Sequence, residues 1–408
     1  TNEPYWTPLY ESARDANTLY ALGQTKGNTV LQAVALTLRS YAFAQLTELW
    51  GDIPFSQALQ GGSGGYTPAY DDQQTVYTEP VAGILPSLKR ADSLLKANPA
   101  GGVLSGDLLY GANVTNWRRF INALRLRYLL RVSAKMNVSA EMQSIVADGT
   151  LMQSASQSGT LALPSTTPYN FVSLTERSGD FAVKYMNSVL YNAFMNTGDT
   201  ARISTYFSTT ANTPAGAAFS FANYGGMPLV VDASQSQASA ASNFNGSFTS
   251  GSNKNLIKAR VMTYAEQEFI LAEAALKGYI SGDPATYYNN GVMGAYAEIG
   301  IDAGTAANYL SHAGVAFDNS SQANAMNQII TQKWIANINN GFEGWIEYRR
   351  TGIPAFQSGG SVNLNGGNIP SRFLYPTTEA SINSANYKAA VQKMGGTETT
   401  TYKAWWEK

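Results

Sequence analysis

Residues 28–54 read NTVLQAVALTLRSYAFAQLTELWGDIP. Leu31, Val34, Ala35, Leu38, Ala42, Leu46 and Leu49 step by three or four, which gathers them on one stripe of a helix. Gly51 stops that helix, and Pro54 keeps the chain extended beyond it. A loop follows, with Gly61, Gly62, Gly64 and Gly65 and then Tyr66 and Tyr70. The glycine run lacks the Lys-Ser/Thr of a phosphate loop, so it reads as a flexible segment and not as a mononucleotide site.

The same helical period recurs outward from this stretch. Residues 116–135 place Trp117, Phe120, Ile121, Leu124, Tyr128 and Val132 on one face. Residues 74–97 form a further candidate, interrupted at Pro80 and Pro86. Thr263 and Glu266 fit a capping box that opens a helix over 263–279. Helices also fit 284–298, 321–340 and 342–350, ahead of a loop-rich C-terminal tail. Between the two helical blocks, 150–258 changes character. Helical periodicity fades after about 210, and Ser, Ala, Gly and Asn dominate 231–255. That region is expected to hold one or two short helices, over about 180–207, and long surface loops, which are usually functional or disordered. The predicted fold is mostly α, built from antiparallel helix pairs and carrying a loop-rich central insertion. A strict repeat of about 34 residues is not legible.

Bulk properties narrow the function classes. A chain of 408 residues fits two or three domains, or one large helical domain with insertions. It can bury a sizeable core without covalent staples. The net charge is -1, so no global field draws in nucleic acid or an anionic bilayer. Charged residues make up 13%, about half the usual share. The polar surface is therefore carried by Gly, Ser, Thr, Asn, Gln and Tyr, which suits neutral hydrogen-bonding ligands. There are no cysteines, which removes disulfides, thiolate metal sites and cysteine nucleophiles. No apolar run approaches the length of about 18 residues needed to span a bilayer, and no basic-then-apolar signal segment is present.

The reactive side chains offer little catalytic chemistry. His312 is the one histidine; without a second histidine or a cysteine it cannot serve an HExxH zinc site or Cys–His catalysis, and it reads as a loop residue. Glu343 and Glu347 lie four apart on one helix face, and carboxylates about 5–9 Å apart could hydrolyse glycosides. Arg349 and Arg350 beside them point instead to a structural ion network. Arg118, Arg119, Arg125, Arg127 and Arg131 form no single exposed stripe, so they read as bridges between packed helices and not as a phosphate-binding face. Aromatics make up 12% of the chain. Trp117, Trp334 and Trp345 fall on helix stripes and are expected in the core. Phe55, Tyr66, Tyr70, Tyr169, Phe171, Tyr224 and Phe244 fall in loops, where burial explains them less well, and Trp50 sits at a helix end. These eight are the candidate ligand contacts, since apolar sugar faces stack on aromatic rings and the same toolkit holds a peptide.

Three segments carry a family pattern. RSYAFAQLTELWGDIPFSQAL (Arg39–Leu59) resembles the helix of SusD/RagB-family proteins that ends in an aromatic-Gly-Asp-aliphatic-Pro turn. VMTYAEQEFILAEAALKG (Val261–Gly278) is similar to the family's Thr-Tyr-Ala-Glu helix. QKWIANINNGFEGWIEYRRTGIP (Gln332–Pro354) is similar to its late helix pair. Asn116–Arg131, the ending YPTTEASINSANYKAAV, and Trp405-Trp406 fit the same SusD-like subgroup, so the likeness spans residues 1–408. The resemblance implies a single SusD-like domain of tetratricopeptide-like helix pairs, with a helical scaffold at 1–149 and 259–408 and a variable loop-rich region at 150–258. It also implies a non-catalytic protein without cofactors on the outer face of the outer membrane. Such a protein captures oligosaccharides, or in some members oligopeptides, for a SusC-like TonB-dependent transporter. In the family, the loop after the Gly-Asp-x-Pro turn and the central region line the site, which favours Phe55, Tyr66 and Tyr70. Members also carry a lipidated cysteine ahead of the first helices. None is present here, and the sequence starts close to a family helix, so it reads as a truncated form. An all-helical glycoside hydrolase and a scaffold that binds only proteins are the competing readings.

Overall fold

The computed structural model describes residues 3–164, 166–230, 240–359 and 362–407. The chain forms two compact units, one comprising residues 1–151 and 368–408, the other residues 152–367. Their boundaries differ from the expected scaffold and central region, because the helices of 264–351 fold together with the loop-rich segment before them.

The first unit opens with α1 (Glu3–Thr25), which falls in the expected helical scaffold although no helical period is read there, and α2 (Thr29–Trp50), which packs along it. Asn28 caps α2 by accepting the Leu31 N–H at 2.9 Å, and Gly51, at φ 83°, closes it with an N–H to the Thr47 carbonyl at 2.8 Å. The predicted stripe supplies five of the sixteen residues that α2 buries. Leu38 is 42% exposed, whereas Ala33, Leu36, Thr37, Ser40 and Glu48 are buried. The cause is position: α2 is packed against α1 on one side and α4 on another, so it is covered nearly all round.

After α2, β1 (Ile53–Pro54) pairs antiparallel with β2 (Tyr70–Asp71). The predicted helix over 74–97 is two helices, α3 (Gln73–Thr78) and α4 (Ile84–Ala97), parted around Pro80. Pro86 sits in the first turn of α4, where a missing N–H costs nothing, so only one of the two prolines breaks the helix. In α5 (Val114–Val132) Arg118, Arg125 and Arg131 bridge to neighbouring helices, as expected, whereas Arg119 is half-buried and donates to Asn116 of its own helix. Arg118 binds Asp92 of α4 at 2.8 Å and Asp148 of α6 (Ser139–Asp148) at 3.0 Å. Arg125 binds Asp92 at 3.2 Å and also Glu141, and Arg131 binds the buried Glu48 of α2 at 2.7 Å.

The second unit holds α7 (Ser178–Phe181), α8 (Ser188–Thr197), α9 (Thr200–Tyr206) and α10 (Ser247–Ser250) in its irregular part. A short antiparallel pair, β3 (Gly159–Ala162) with β4 (Lys258–Met262), leads into the helices. The serine-rich stretch expected as loop falls partly at 231–239, outside the described residues. Thr263 caps α11 (Tyr264–Leu276), its hydroxyl accepting the Glu266 N–H at 3.1 Å. Then come α12 (Pro284–Glu298), α13 (Ala303–Leu310), α14 (Gln322–Ala336) and α15 (Glu343–Thr351). A methyl group on Gly291 or Gly294 of α12 would stand 2.7 Å from the Phe269 ring or 2.8 Å from the Tyr264 ring, so these glycines allow α12 to seat against α11. Of the three tryptophans expected in the core, Trp117 is buried, whereas Trp334 and Trp345 are half-buried. The chain returns to the first unit with α16 (Thr377–Ile382) and α17 (Ser384–Lys393), where the sequence suggested only loop. Both are short and bury little beyond Ala390 and Val391, too few positions to display a period.

Candidate ligand-binding site

The loop after the Gly-Asp-Ile-Pro turn is built on a fixed neck. Pro54 pairs with Tyr70 and Ile53 with Asp71. The Asp71 carboxylate accepts the N–H groups of Phe55 (3.1 Å) and Ser56 (2.7 Å) and the Ser56 hydroxyl (2.9 Å). From the other side, Asn383 donates to the Pro68 carbonyl at 2.8 Å and Asn386 to that of Thr67 at 2.9 Å. The segment between these clamps, 57–66, carries the glycine run, with Gly64 in the left-handed region at φ 93°.

This loop covers one side of a cleft of about 450 Å³ within the first unit. Opposite it, α1 presents Trp6, Tyr10 and Arg14 at steps of four, with Glu11 beside them. Tyr66 lines the cleft from the loop and is 72% exposed. Glu379, from α16, completes the polar rim. Tyr10 donates its hydroxyl to the Pro54 carbonyl at 2.7 Å, and burial, together with the nearby Glu379 carboxylate, holds its phenol well above the usual range. Tyr70 stands behind the loop and donates to Glu379 at 2.5 Å; burial first, then the Glu379 charge, raises its phenol as well. Both tyrosines therefore stay protonated and act as donors. Trp6 is buried against Trp50 and Tyr375, so the cleft combines the exposed Tyr66 ring and half-buried Tyr10 with carboxylates and a guanidinium, groups suited to a ligand with apolar faces and many hydroxyls.

The eight aromatic candidates divide between the units. Trp50, Phe55, Tyr66 and Tyr70 lie in the first, and Tyr169, Phe171, Tyr224 and Phe244 in the second. Trp50 requires correction: its side chain is fully buried, its ring meets Trp6 edge-on at 5.0 Å, and its N–H donates to the Leu374 carbonyl at 2.9 Å. Phe55 is also core, set edge-on to Phe43 at 4.8 Å. Tyr224 is buried in an aromatic and aliphatic cluster of the second unit, and Phe244 stacks on Phe207 at 5.0 Å in the same cluster. Phe171 packs against that cluster half-buried. These side chains leave little or no ring face for a ligand, because loop aromatics in a small-residue segment supply most of the available packing. Tyr169 remains 76% exposed. Trp6, Tyr10, Glu11, Arg14 and Glu379, which line this cleft, are not among the candidates read from the sequence.

The other candidate chemistry settles into structure. Glu347 is buried, accepts Lys333 at 3.0 Å and pairs with Arg350, which also holds Glu273 at 2.7 and 2.6 Å. Glu343 is buried as well. His312 donates from Nδ1 to the Thr197 carbonyl at 3.1 Å. Among the described residues no group of acidic and histidine side chains is placed to hold a metal ion, and no helix is long and apolar enough to cross a membrane.

Comparison with known proteins places this architecture. The profile of the SusD-like family described as "starch-binding associating with outer membrane" matches residues 1–376. A Bacteroides vulgatus structure whose description ties it to the outer membrane and to nutrient binding is 31% identical, with 98% of this chain and 89% of that chain covered and a TM-score of 0.86. A SusD homologue from Bacteroides fragilis is 28% identical, covering 98% and 88% at a TM-score of 0.84. A chitin-binding SusD homologue from Flavobacterium johnsoniae shares the fold at 23% identity, covering 99% and 86% at a TM-score of 0.79. No curated protein matches the sequence. The chain, with its mostly helical tetratricopeptide-type fold, belongs to the SusD-like family.

Proposed function

We propose that this protein is a non-catalytic binding protein of the outer-membrane surface that captures oligosaccharides in the first unit's cleft. The observation that carries the reading is Tyr66, a largely exposed ring on a loop clamped at its neck, facing Trp6, Tyr10 and the charged rim of Glu11, Arg14 and Glu379. A preorganised platform loses little entropy on binding, which favours capture over adaptation. Family membership supports delivery of the ligand to a SusC-like TonB-dependent transporter and attachment through a lipid anchor. Tyr169 in the second unit is a further proposed contact, and the loop-rich region 150–258 is proposed as the variable part of the binding surface. The Glu343–Glu347 pair, the acid pair best placed by sequence, lies in the interior, where Glu347 is engaged with two cations, which speaks against glycoside hydrolysis.

Calorimetry with chito- and malto-oligosaccharides tests the reading, chitin being named in one structural relative. Saturable binding weakened by Tyr66→Ala, without release of new reducing ends, is expected. Binding of oligopeptides alone, with Tyr66→Ala affecting that binding, would favour the oligopeptide-capturing form of the same role.

A further inference from the structure

A separate cleft of about 680 Å³ lies within the second unit. One wall is α8, which presents Ser188, Asn192 and Asn196 at steps of four; another is α14, which presents Asn327 and Thr331. Asn192, Asn196 and Asn327 are exposed, and their side-chain amides have no hydrogen-bonding partner among the described residues. The floor is different. Gln332 is buried, accepts from Arg202 at 2.7 Å and donates to the Tyr309 hydroxyl at 2.8 Å, so both ends of its amide are engaged. Gln328 is held in a similar way, donating to the Gly314 and Ala316 carbonyls at 3.0 Å each. Beneath the free amides, then, is a rigid base.

The chemistry of this lining identifies its occupant. None of the described lining residues is charged, in contrast to the first unit's cleft. Its aromatic residue, Tyr288, is fully buried with its hydroxyl committed to the Val315 carbonyl at 2.8 Å, so no ring face is offered to a sugar. What is offered is amide groups alternating with aliphatic surface from Val189, Leu229 and Pro354. A side-chain amide carries the same donor and acceptor as a peptide group. Positions four apart on a helix are separated by about 6 Å along its axis, close to the roughly 6.7 Å between alternate residues of an extended strand. A peptide with free ends would bring an ammonium and a carboxylate to a lining whose described residues hold no counter-charge.

We propose that the second unit's cleft binds an uncharged, extended internal segment of another polypeptide, held by Asn192, Asn196 and Asn327 through its backbone. The proposal is independent of the first unit's ligand. The probe is acetyl-Thr-Val-Ser-Val-Thr-amide, titrated calorimetrically against the full chain. Its twin with free termini, a twin N-methylated at alternate peptide nitrogens, and chitohexaose serve as comparisons. The capped peptide should bind saturably, and the free-ended and N-methylated twins at least tenfold more weakly. Asn192→Ala combined with Asn327→Ala should weaken the capped peptide at least tenfold at unchanged melting temperature, while Tyr66→Ala leaves it unaltered. Hydrogen exchange on binding should slow in 188–197 and 322–336. No saturable binding of the capped peptide, equal binding of the N-methylated twin, or full affinity in the double variant would each overturn the proposal. Chitohexaose binding that the double variant abolishes would overturn it in favour of a sugar.

Discussion

The phenol of Tyr70 donates to the Glu379 carboxylate at 2.5 Å, joining the end of the glycine-rich loop to α16 across 309 residues of chain. It fixes in place two sides of the first unit's cleft, and it relies on a tyrosine that remains protonated. Tyr70→Phe should lower stability by about 1.5–3 kcal/mol, the range for a hydrogen bond to a charged group. Ligand affinity should fall with it, since the loop and the Glu379 rim move independently once untied. Thermal melting and calorimetry on the same sample check both.

Tyr66 should behave in the opposite way. Its ring is 72% exposed, so Tyr66→Ala removes contact with ligand but almost no packing. Oligosaccharide affinity is expected to drop about tenfold or less, equivalent to about 1.4 kcal/mol, with the melting temperature unchanged. An unaltered affinity would move the sugar site away from this loop.

Trp50→Ala should be costly for reasons unrelated to ligand. The side chain is fully buried among Trp6 and Phe373, and a cavity of that size costs about 3–5 kcal/mol. Chemical denaturation should register the loss as a lower midpoint.

Glu347→Gln should leave Lys333 and Arg350 short of a buried counter-charge, at a cost of about 3–5 kcal/mol. Oligosaccharide incubated with either protein should remain intact by reducing-end assay. Turnover in the parent that disappears in the variant would restore the glycosidase reading.

Acid should loosen the first unit through Asp148. Hydrogen bonds from Lys96 and Arg118 hold this carboxyl below its usual range. Its folded pKa is therefore lower than its unfolded pKa of about 3.9, so the pair contributes stability above that pH and loses it as pH falls through the folded value. Asp148→Asn should show lower stability at pH 7 and a shallower decline below about pH 4.

Helices with an interior repeat are legible in the sequence alone. Thr263–Glu266 locates the start of α11, and Asp283-Pro284 lies at the start of α12, where an expected helix begins. The arginines of α5 are legible as struts because a neutral net charge leaves them no distant partner to serve. Legibility ends where identity and environment part. Trp50, at a helix end, and Phe55, in a loop, flank the Gly-Asp-Ile-Pro turn and read as exposed, but the edge-on rings of Trp6 and Phe43 that bury them come from helices distant or unread in the local pattern. Glu379 could not be linked to the cleft because the association is made by α16, a helix of six residues with no buried member. α1 is obscure for a different reason: its apolar positions are diluted by a polar face, so the Trp6-Tyr10-Arg14 step stands out poorly from its surroundings.

The Asp71 clamp has an evolutionary consequence. One carboxylate receives Phe55 and Ser56 at the root of the loop, so the backbone at the root is held without help from the exposed residues Gln60 to Tyr66. Lengthening such a loop raises its closure cost only logarithmically, by about 0.6 kcal/mol for each doubling. New rings or amides could therefore be grafted between positions 57 and 66 without renegotiating the fold. If the loop carries the proposed site, a change of ligand becomes a local edit, with Asp71 as the fixed pin on which successive specificities are hung.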